Sequence, residues 1–169
     1  MEYKDMRNFI VKGLYEFLQV PVIPTDNPNK KPKYPFISYK FTTLHKNQGG
    51  FNLLLEPIPS IDPNFEYDIE YTREEQPKMV ISFSSYSLDD LEAIDLANKI
   101  KKWFNFKGRL LLKNNNLVVV ECSDIQDRTI QIIDNYEKRY GFDVTLRYSS
   151  QSKLKVETIE KFKIKGGKV

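Results

Sequence analysis

The sequence has too little histidine and cysteine to build the common catalytic or metal sites. Its 169 residues include one cysteine, Cys122, and one histidine, His45. A single cysteine cannot form an intrachain disulfide, and these two residues alone cannot supply the three or four close ligands of a zinc site. A nucleophilic triad needs a base that titrates near neutral pH, and His45 has no neighbouring nucleophile motif. We therefore expect a protein that is not an enzyme and holds no metal or cofactor.

Long apolar runs and a strong excess of one charge are also missing. No stretch approaches the roughly 20 apolar residues that a membrane span needs, and the first residues carry acids, unlike a signal peptide. The net charge is +3, from 26 basic and 23 acidic residues. A dedicated nucleic-acid-binding protein would have a much stronger basic field. We expect a protein that is made in a cytoplasm and has no membrane partner.

Apolar residues recur at helical spacing in two places and predict the two main helices. The first helix is expected over residues 3–18, where prolines at 21 and 24 end the pattern. The second is expected over residues 88–104, with Ser87 as its N-cap, acids in its first turn and lysines near its end. Both apolar stripes are wide enough to pack against a sheet.

Several segments alternate between apolar and polar residues and predict strands. The pattern holds at residues 36–43, 65–72, 79–83 and 140–148, and alternation of this kind is typical of an antiparallel sheet with one solvated face. The predicted fold is therefore α+β: an antiparallel or mixed sheet with both helices packed on one face. Residues 1–150 are expected to form this single domain, which carries a long loop or arm at 45–64.

Two segments are too apolar for a free monomer. The loop at 45–64 contains the exposed run Phe51–Leu55, and exposed apolar residues in a long loop indicate a contact surface. The extended tail at 151–169 has Phe162 and Ile164 on one side and lysines on the other, as exposed edge strands often have. We interpret both segments as surfaces that another chain covers.

Two alternative interpretations concern the carboxylates and the aromatic side chains. Acids at Asp124 and Asp127, or along the 66–70 strand, could serve a metal-dependent nuclease. Tyrosines such as Tyr39 and Tyr140 could stack RNA bases on a sheet. We favour the plainer interpretation in each case, because alternation and the helix dipole already account for the acids, and the same strand faces carry aliphatic residues, as a core face would.

The segment SDIQDRTIQIIDNYEKRYGFDVTLRYSS, from Ser123 to Ser150, resembles the phage neck or tail-terminator family of tailed phages, prophages and phage-derived tail-like bacteriocins. An N-terminal helix, the strand PFISY at 35–39 and the strand and helix SYSLDDLEAIDLANKI at 85–100 precede it in the order that the family keeps. The resemblance covers residues 3–150. The arm at 45–64 and the tail beyond 150 are where the chain departs from the common core of the family.

The resemblance implies a structural virion protein of the tail or neck, assembled in the host cytoplasm. Such proteins form a ring, commonly a hexamer, on the last ring of the tail tube, where they stop tube polymerisation and face the neck and head. The implied partners are copies of the chain, the tail tube protein and neck or head-completion proteins. DNA passing through the ring would make at most weak contact, since nonspecific affinity grows with the number of phosphates neutralised.

In that interpretation Gln126, Asp127 and Arg128 form a turn between two strands, which shapes an edge of the ring or simply carries surface charge. The full candidate assembly interface consists of Phe51, Leu53, Leu54, Leu55, Gln126, Asp127, Arg128, Phe162 and Ile164. Two alternatives stay open from the sequence: a neck adaptor or head-closure subunit, which differs in the ring it contacts, and a nucleic-acid-binding module.

Overall fold

The computed structural model describes residues 2–28, 30–132 and 135–157 and confirms the α+β fold. The elements in chain order are α1 (Tyr3–Leu18), β1 (Val22–Pro24), β2 (Phe36–Lys46), β3 (Phe51–Pro59), β4 (Tyr67–Glu75), β5 (Lys78–Ser87), α2 (Asp90–Lys102), a π-helix (Trp103–Lys107), α3 (Arg109–Asn114), β6 (Leu117–Cys122), β7 (Gln126–Asp127), β8 (Ile130–Ile132), β9 (Asn135–Tyr148) and β10 (Ser150–Val156). None of the described helices is long and apolar enough to span a membrane. Phe162 and Ile164 of the predicted tail lie outside the described residues.

The larger sheet has the strand order β1-β2-β5-β9-β6, and β7 and β8 also pair with the long strand β9. Strand β1 runs parallel to β2, and the other strand pairs among the described residues of this sheet are antiparallel. Phe83 lies opposite Tyr39 on one side and Phe142 on the other, so these three side chains share a sheet face. All three are buried, and this face forms one side of the core.

The two main helices pack on that same face, as predicted. Met6, Ile10 and Leu14 of α1 are buried in one cluster with Phe83, Phe142 and Ile100 of α2. Helix α1 has the predicted bounds, whereas α2 begins later than expected. Its N-cap is Asp89, whose side chain accepts a hydrogen bond from the Glu92 N–H at 2.8 Å. The prediction of Ser87 as the cap was wrong, because Ser87 accepts from the Asp89 N–H instead.

The smaller sheet is antiparallel and has the order β10-β4-β3. By packing, the chain divides into two units: residues 49–75 and 150–157 carry the smaller sheet, and the remaining described residues carry the larger one. Most of the stretch predicted as a loop is therefore strand, since β2 extends to Lys46 and β3 spans Phe51–Pro59.

Two glycines, one in α1 and one directly after the π-helix, leave room for the indole of Trp103. A Cβ on Gly13 would lie 2.6 Å from Trp103 Cζ2, and a Cβ on Gly108 would lie 2.4 Å from Trp103 Cε2. Trp103 is 3% exposed and meets the Phe104 ring edge-on at 4.9 Å between centroids. The indole therefore fills the space that these two glycines leave open.

We predict that Gly13→Ala destabilises the protein by about 1–3 kcal/mol, the usual cost of overpacking a core. The loss should appear as a lower midpoint of denaturant unfolding. Gly50→Ala is the matched control, because a Cβ there meets nothing within 4 Å. A more stable Gly13→Ala variant, as expected for alanine at an uncrowded helical site, would contradict this packing.

A buried carboxylate anchors the segment before β2 to strand β9. The Glu137 side chain is 2% exposed, forms an ion pair with Lys31 and accepts a hydrogen bond from the Tyr34 hydroxyl at 2.5 Å. Burial, followed by the hydrogen bond and negative charge of Glu137, raises the pKa of Tyr34 to about 12. Tyr34 thus stays protonated when folded at a pH where the unfolded chain ionises it.

We predict that the Tyr34→Phe variant loses less unfolding free energy than the wild type when the pH is raised from 10 to about 12. A folded pKa above the unfolded value of 10.0 gives stability that is complete below pH 10 and is lost as pH rises towards about 12. The difference in unfolding free energy between wild type and Tyr34→Phe should therefore be largest near neutral pH and shrink across that window. Chemical denaturation at several pH values measures it. A difference that stays constant to pH 12 would contradict the role of Tyr34.

Candidate assembly surfaces

The residues considered for catalysis are separated or have structural roles. In the part of the chain that the structure describes, no group of three or more His, Cys, Asp and Glu side chains is placed to hold a metal ion. His45 lies in strand β2, not in the predicted loop, and its Nδ1 is 3.2 Å from the Tyr148 hydroxyl. Cys122 is half-buried at the end of β6, and burial raises the pKa of its thiol. A raised pKa disfavours the reactive thiolate.

Asp124 and Asp127 also have separate partners. Asp124 Oδ1 lies 3.6 Å from Lys101 Nζ. Asp127 Oδ1 accepts a hydrogen bond from the Thr129 N–H at 2.8 Å, and hydrogen bonding from Thr129 lowers the pKa of Asp127. Asp127 is thus the last residue of β7 and holds the turn that follows it.

Arg128 lies on the polar face of the larger sheet, opposite the helices. Its Nη1 donates to Ser82 Oγ at 2.8 Å, and its Nη2 donates to Asp143 Oδ1 at 3.3 Å. Gly141 lies beneath it, where a Cβ would be 2.8 Å from Arg128 Nη1 and 2.6 Å from the Phe83 carbonyl oxygen. The segments QDRT and GFD meet because β7 pairs with β9, and Gly141 leaves room there for the Arg128 guanidinium.

The smaller sheet has one strongly apolar face. Residues directly opposite each other share a face, and the pairs Leu53↔Arg73, Leu55↔Tyr71 and Leu154↔Tyr71 fix its composition. We call this surface the apolar face; its apolar members are Phe51, Leu53, Leu55, Pro57, Pro59, Tyr67, Ile69, Tyr71, Leu154 and Val156. Six of them, namely Phe51, Leu53, Leu55, Tyr67, Leu154 and Val156, are between 41% and 63% exposed.

The opposite face of the same sheet is mainly charged. Lys153 Nζ lies 2.8 Å from Glu70 Oε1, and Glu56 and Lys155 flank Glu70 in the register. Leu54 is on this charged face although it stands between Leu53 and Leu55 in sequence. The predicted apolar run of residues 51–55 is therefore divided between two faces.

The arm and the first part of the tail form one surface rather than two. Strands β3 and β10 lie on either side of β4, so Leu55 and Leu154 are both directly opposite Tyr71. The sequence predicted an apolar run in the arm and an apolar side of the tail, but it could not show that the two segments contribute to one surface. Gln126, Asp127 and Arg128 belong to the other unit.

A second exposed apolar site lies on the larger unit. Phe17 of α1 and Phe106 of the π-helix line a groove of about 500 Å³ together with Lys101, Lys102 and Lys107. Phe106 is 77% exposed, and Lys107 Nζ lies 5.8 Å from its ring centroid. We call this site the basic groove. The sequence did not predict this groove, because the apolar stripe of residues 88–104 indicated only a core-facing side.

The comparisons with known proteins agree with the resemblance. A family model described as "Phage neck terminator protein" matches residues 6–169, nearly the whole chain. No curated protein shows significant similarity to this chain. The match includes both the helix-and-sheet core and the segments that carry the smaller sheet.

Members of that family are structural parts of the phage tail and neck, and the segment that carried the resemblance, residues 123–150, lies inside the match. This chain belongs to the phage neck terminator protein family and is a structural component of a virion's tail and neck.

Proposed function

We propose that this protein forms a ring that closes the head-facing end of the tail tube and ends its polymerisation. The observation that supports this most directly is the apolar face of the smaller sheet. A three-stranded sheet gains little stability unless something covers its apolar face, and an exposed face of this kind marks a site of protein contact. In the ring, a neighbouring copy or the end of the tube covers it.

A closed ring explains how the surface can be used without uncontrolled assembly. Contacts between different patches on identical subunits form a ring when the rotation closes and a filament when it does not. A terminator must end a filament rather than extend it, so ring closure suits the task. The ring then offers one side to the tail tube and the other to the neck and head.

The ring leaves a passage for DNA and does not bind the DNA tightly. The net charge of +3 is too small for tight nonspecific binding, which grows with the number of phosphates that lysine and arginine neutralise. A lumen that releases DNA easily suits a conduit through which the genome passes. No covalent chemistry is needed for this role.

We predict that Leu53→Ser and Leu55→Ser each weaken assembly while Leu54→Ser does not. The three leucines are 49%, 49% and 54% exposed, so their effects on folding should be similar. Only Leu53 and Leu55 lie on the apolar face. Losing one leucine from a buried contact costs about 1.5–3 kcal/mol, or about tenfold to a hundredfold in the dissociation constant.

Sedimentation and native mass spectrometry of the three variants measure this difference, with far-ultraviolet circular dichroism as the check on folding. Equal weakening by all three substitutions, or by none of them, would contradict the assignment of the apolar face as the covered one.

We further predict that the wild-type protein binds the ends of tail tubes from the same particle and stops their elongation. Binding should persist at salt concentrations that release weakly held DNA, because the contact is mainly apolar. Electron microscopy of tube lengths with and without the protein measures it. Unchanged tube lengths with binding to a head connector ring would instead indicate a head-closure subunit. Tight, salt-dependent binding of short DNA or RNA would indicate a nucleic-acid-binding module.

A further inference from the structure

The charge of this chain is divided unevenly between its segments. Residues 49–75 contain seven acids and one base, a net charge of −6 in a chain whose total is +3, which leaves +9 on the other residues. Residues 96–120 show the opposite pattern, with six lysines and arginines and no acid. The acidic segment builds most of the smaller sheet, and the basic segment builds the end of α2, the π-helix and α3.

The β3–β4 hairpin ends in an apolar residue among acids. The connection between the two strands covers residues 60–66, which we call the hairpin tip. Ile61 is 89% exposed there, and Asp62 and Glu66 are exposed as well. Asp62 shapes the tip, because its Oδ1 accepts hydrogen bonds from the Asn64 N–H at 2.9 Å and from Asn64 Nδ2 at 2.7 Å. The tip is thus an ordered turn with one exposed aliphatic side chain, that of Ile61.

The basic groove has the complementary composition. Phe17 and Phe106 supply an apolar floor, and Lys101, Lys102 and Lys107 supply positive charge around it. Lys102 and Lys107 are exposed, whereas Lys101 is partly buried and forms an ion pair with Asp124. A volume of about 500 Å³ is ample for one isoleucine side chain.

We propose that the hairpin tip of one copy inserts into the basic groove of the next copy. Ile61 contacts Phe17 and Phe106, and the carboxylates of Asp62 and Glu66 face Lys102 and Lys107. The two surfaces are different patches on the same chain, so the contact is heterologous and repeats from copy to copy around a ring. This inference rests on the proposed ring and names the two surfaces that close it.

Complementary charge also makes the contact directional. A tip that meets another tip places acids against acids, and a groove that meets another groove places lysines against lysines, so head-to-tail pairing is favoured over either symmetric dimer. The apolar insertion supplies affinity, while the charges select the partner surface.

Charge reversal in a mixture tests the proposal. The tip variant is Asp62→Asn with Glu66→Lys, where asparagine keeps the Oδ1 acceptor that the turn needs. The groove variant is Lys102→Glu with Lys107→Glu. Each variant alone should show a dissociation constant for self-association raised about tenfold or more, because like charges now meet. Mixed in equal amounts they should assemble together, since each tip then meets a groove of opposite charge.

Two further variants serve as controls. The control for the groove variant is Lys4→Glu with Lys99→Glu, which makes the same change of net charge at exposed lysines outside the groove. It should assemble like wild type. Ile61→Ser keeps the tip charges and should weaken self-association without being rescued by the groove variant. Native mass spectrometry reports which chains enter each complex.

The outcomes separate this inference from the proposed function. If wild type forms a ring and both charge variants also form it alone, the tip-and-groove contact is wrong and the ring stands. If the variants lose assembly but the mixture does not recover it, the pairing is equally overturned. A wild type that stays monomeric over a concentration series and ignores tail tubes would overturn the ring itself.

Discussion

The exposed apolar face of the smaller sheet is the constraint on which this account depends. Protein layers are stable when each apolar face is buried against another layer. The larger sheet meets this condition with α1 and α2, whose apolar residues form one core with Phe83 and Phe142. In the smaller sheet, Leu53, Leu55 and Leu154 remain about half exposed or more. Burying them in an assembly contributes free energy that the single chain forgoes.

Electrostatics then decides which surfaces meet. In the proposed ring, the acidic hairpin tip of one copy attracts the basic groove of the next copy, but this attraction is screened at physiological salt and falls off within about 8 Å. Charges of this kind set partner choice and encounter rate more than affinity. The apolar face and Ile61 therefore supply most of the stability of the proposed ring, and the flanking charges determine which surfaces pair.

The sequence was sufficient for elements whose apolar pattern has one clear period. Helix α1 was predicted to its exact bounds because Met6, Ile10 and Leu14 follow a single stripe. The N-cap of α2 was missed, since Ser87 and Asp89 are both good caps and only their hydrogen bonds distinguish them. The close packing of Trp103 against Gly13 was also missed, because these residues are far apart in sequence and no local pattern relates them.

The candidate site was predictable only in part for the same reason. The exposure of residues 51–55 followed from an apolar run beside prolines, but the strand there lacks clean alternation, because Leu54 is apolar on the charged face. The pairing of β10 with β4 joins segments far apart in sequence, so the single surface formed by arm and tail could not be inferred locally. The basic groove is formed by residues from α1 and the π-helix that only the fold brings together.

Amide hydrogen exchange on the assembled ring and on its dissociated subunits tests the central claim most directly. A covered apolar face should suppress local opening of β3 and β10, so their amides should exchange more slowly in the ring than in the free subunit. The core strand β5, already buried, should change little. Equal exchange of β3 and β10 in the two states would show that the face stays uncovered and would contradict the account.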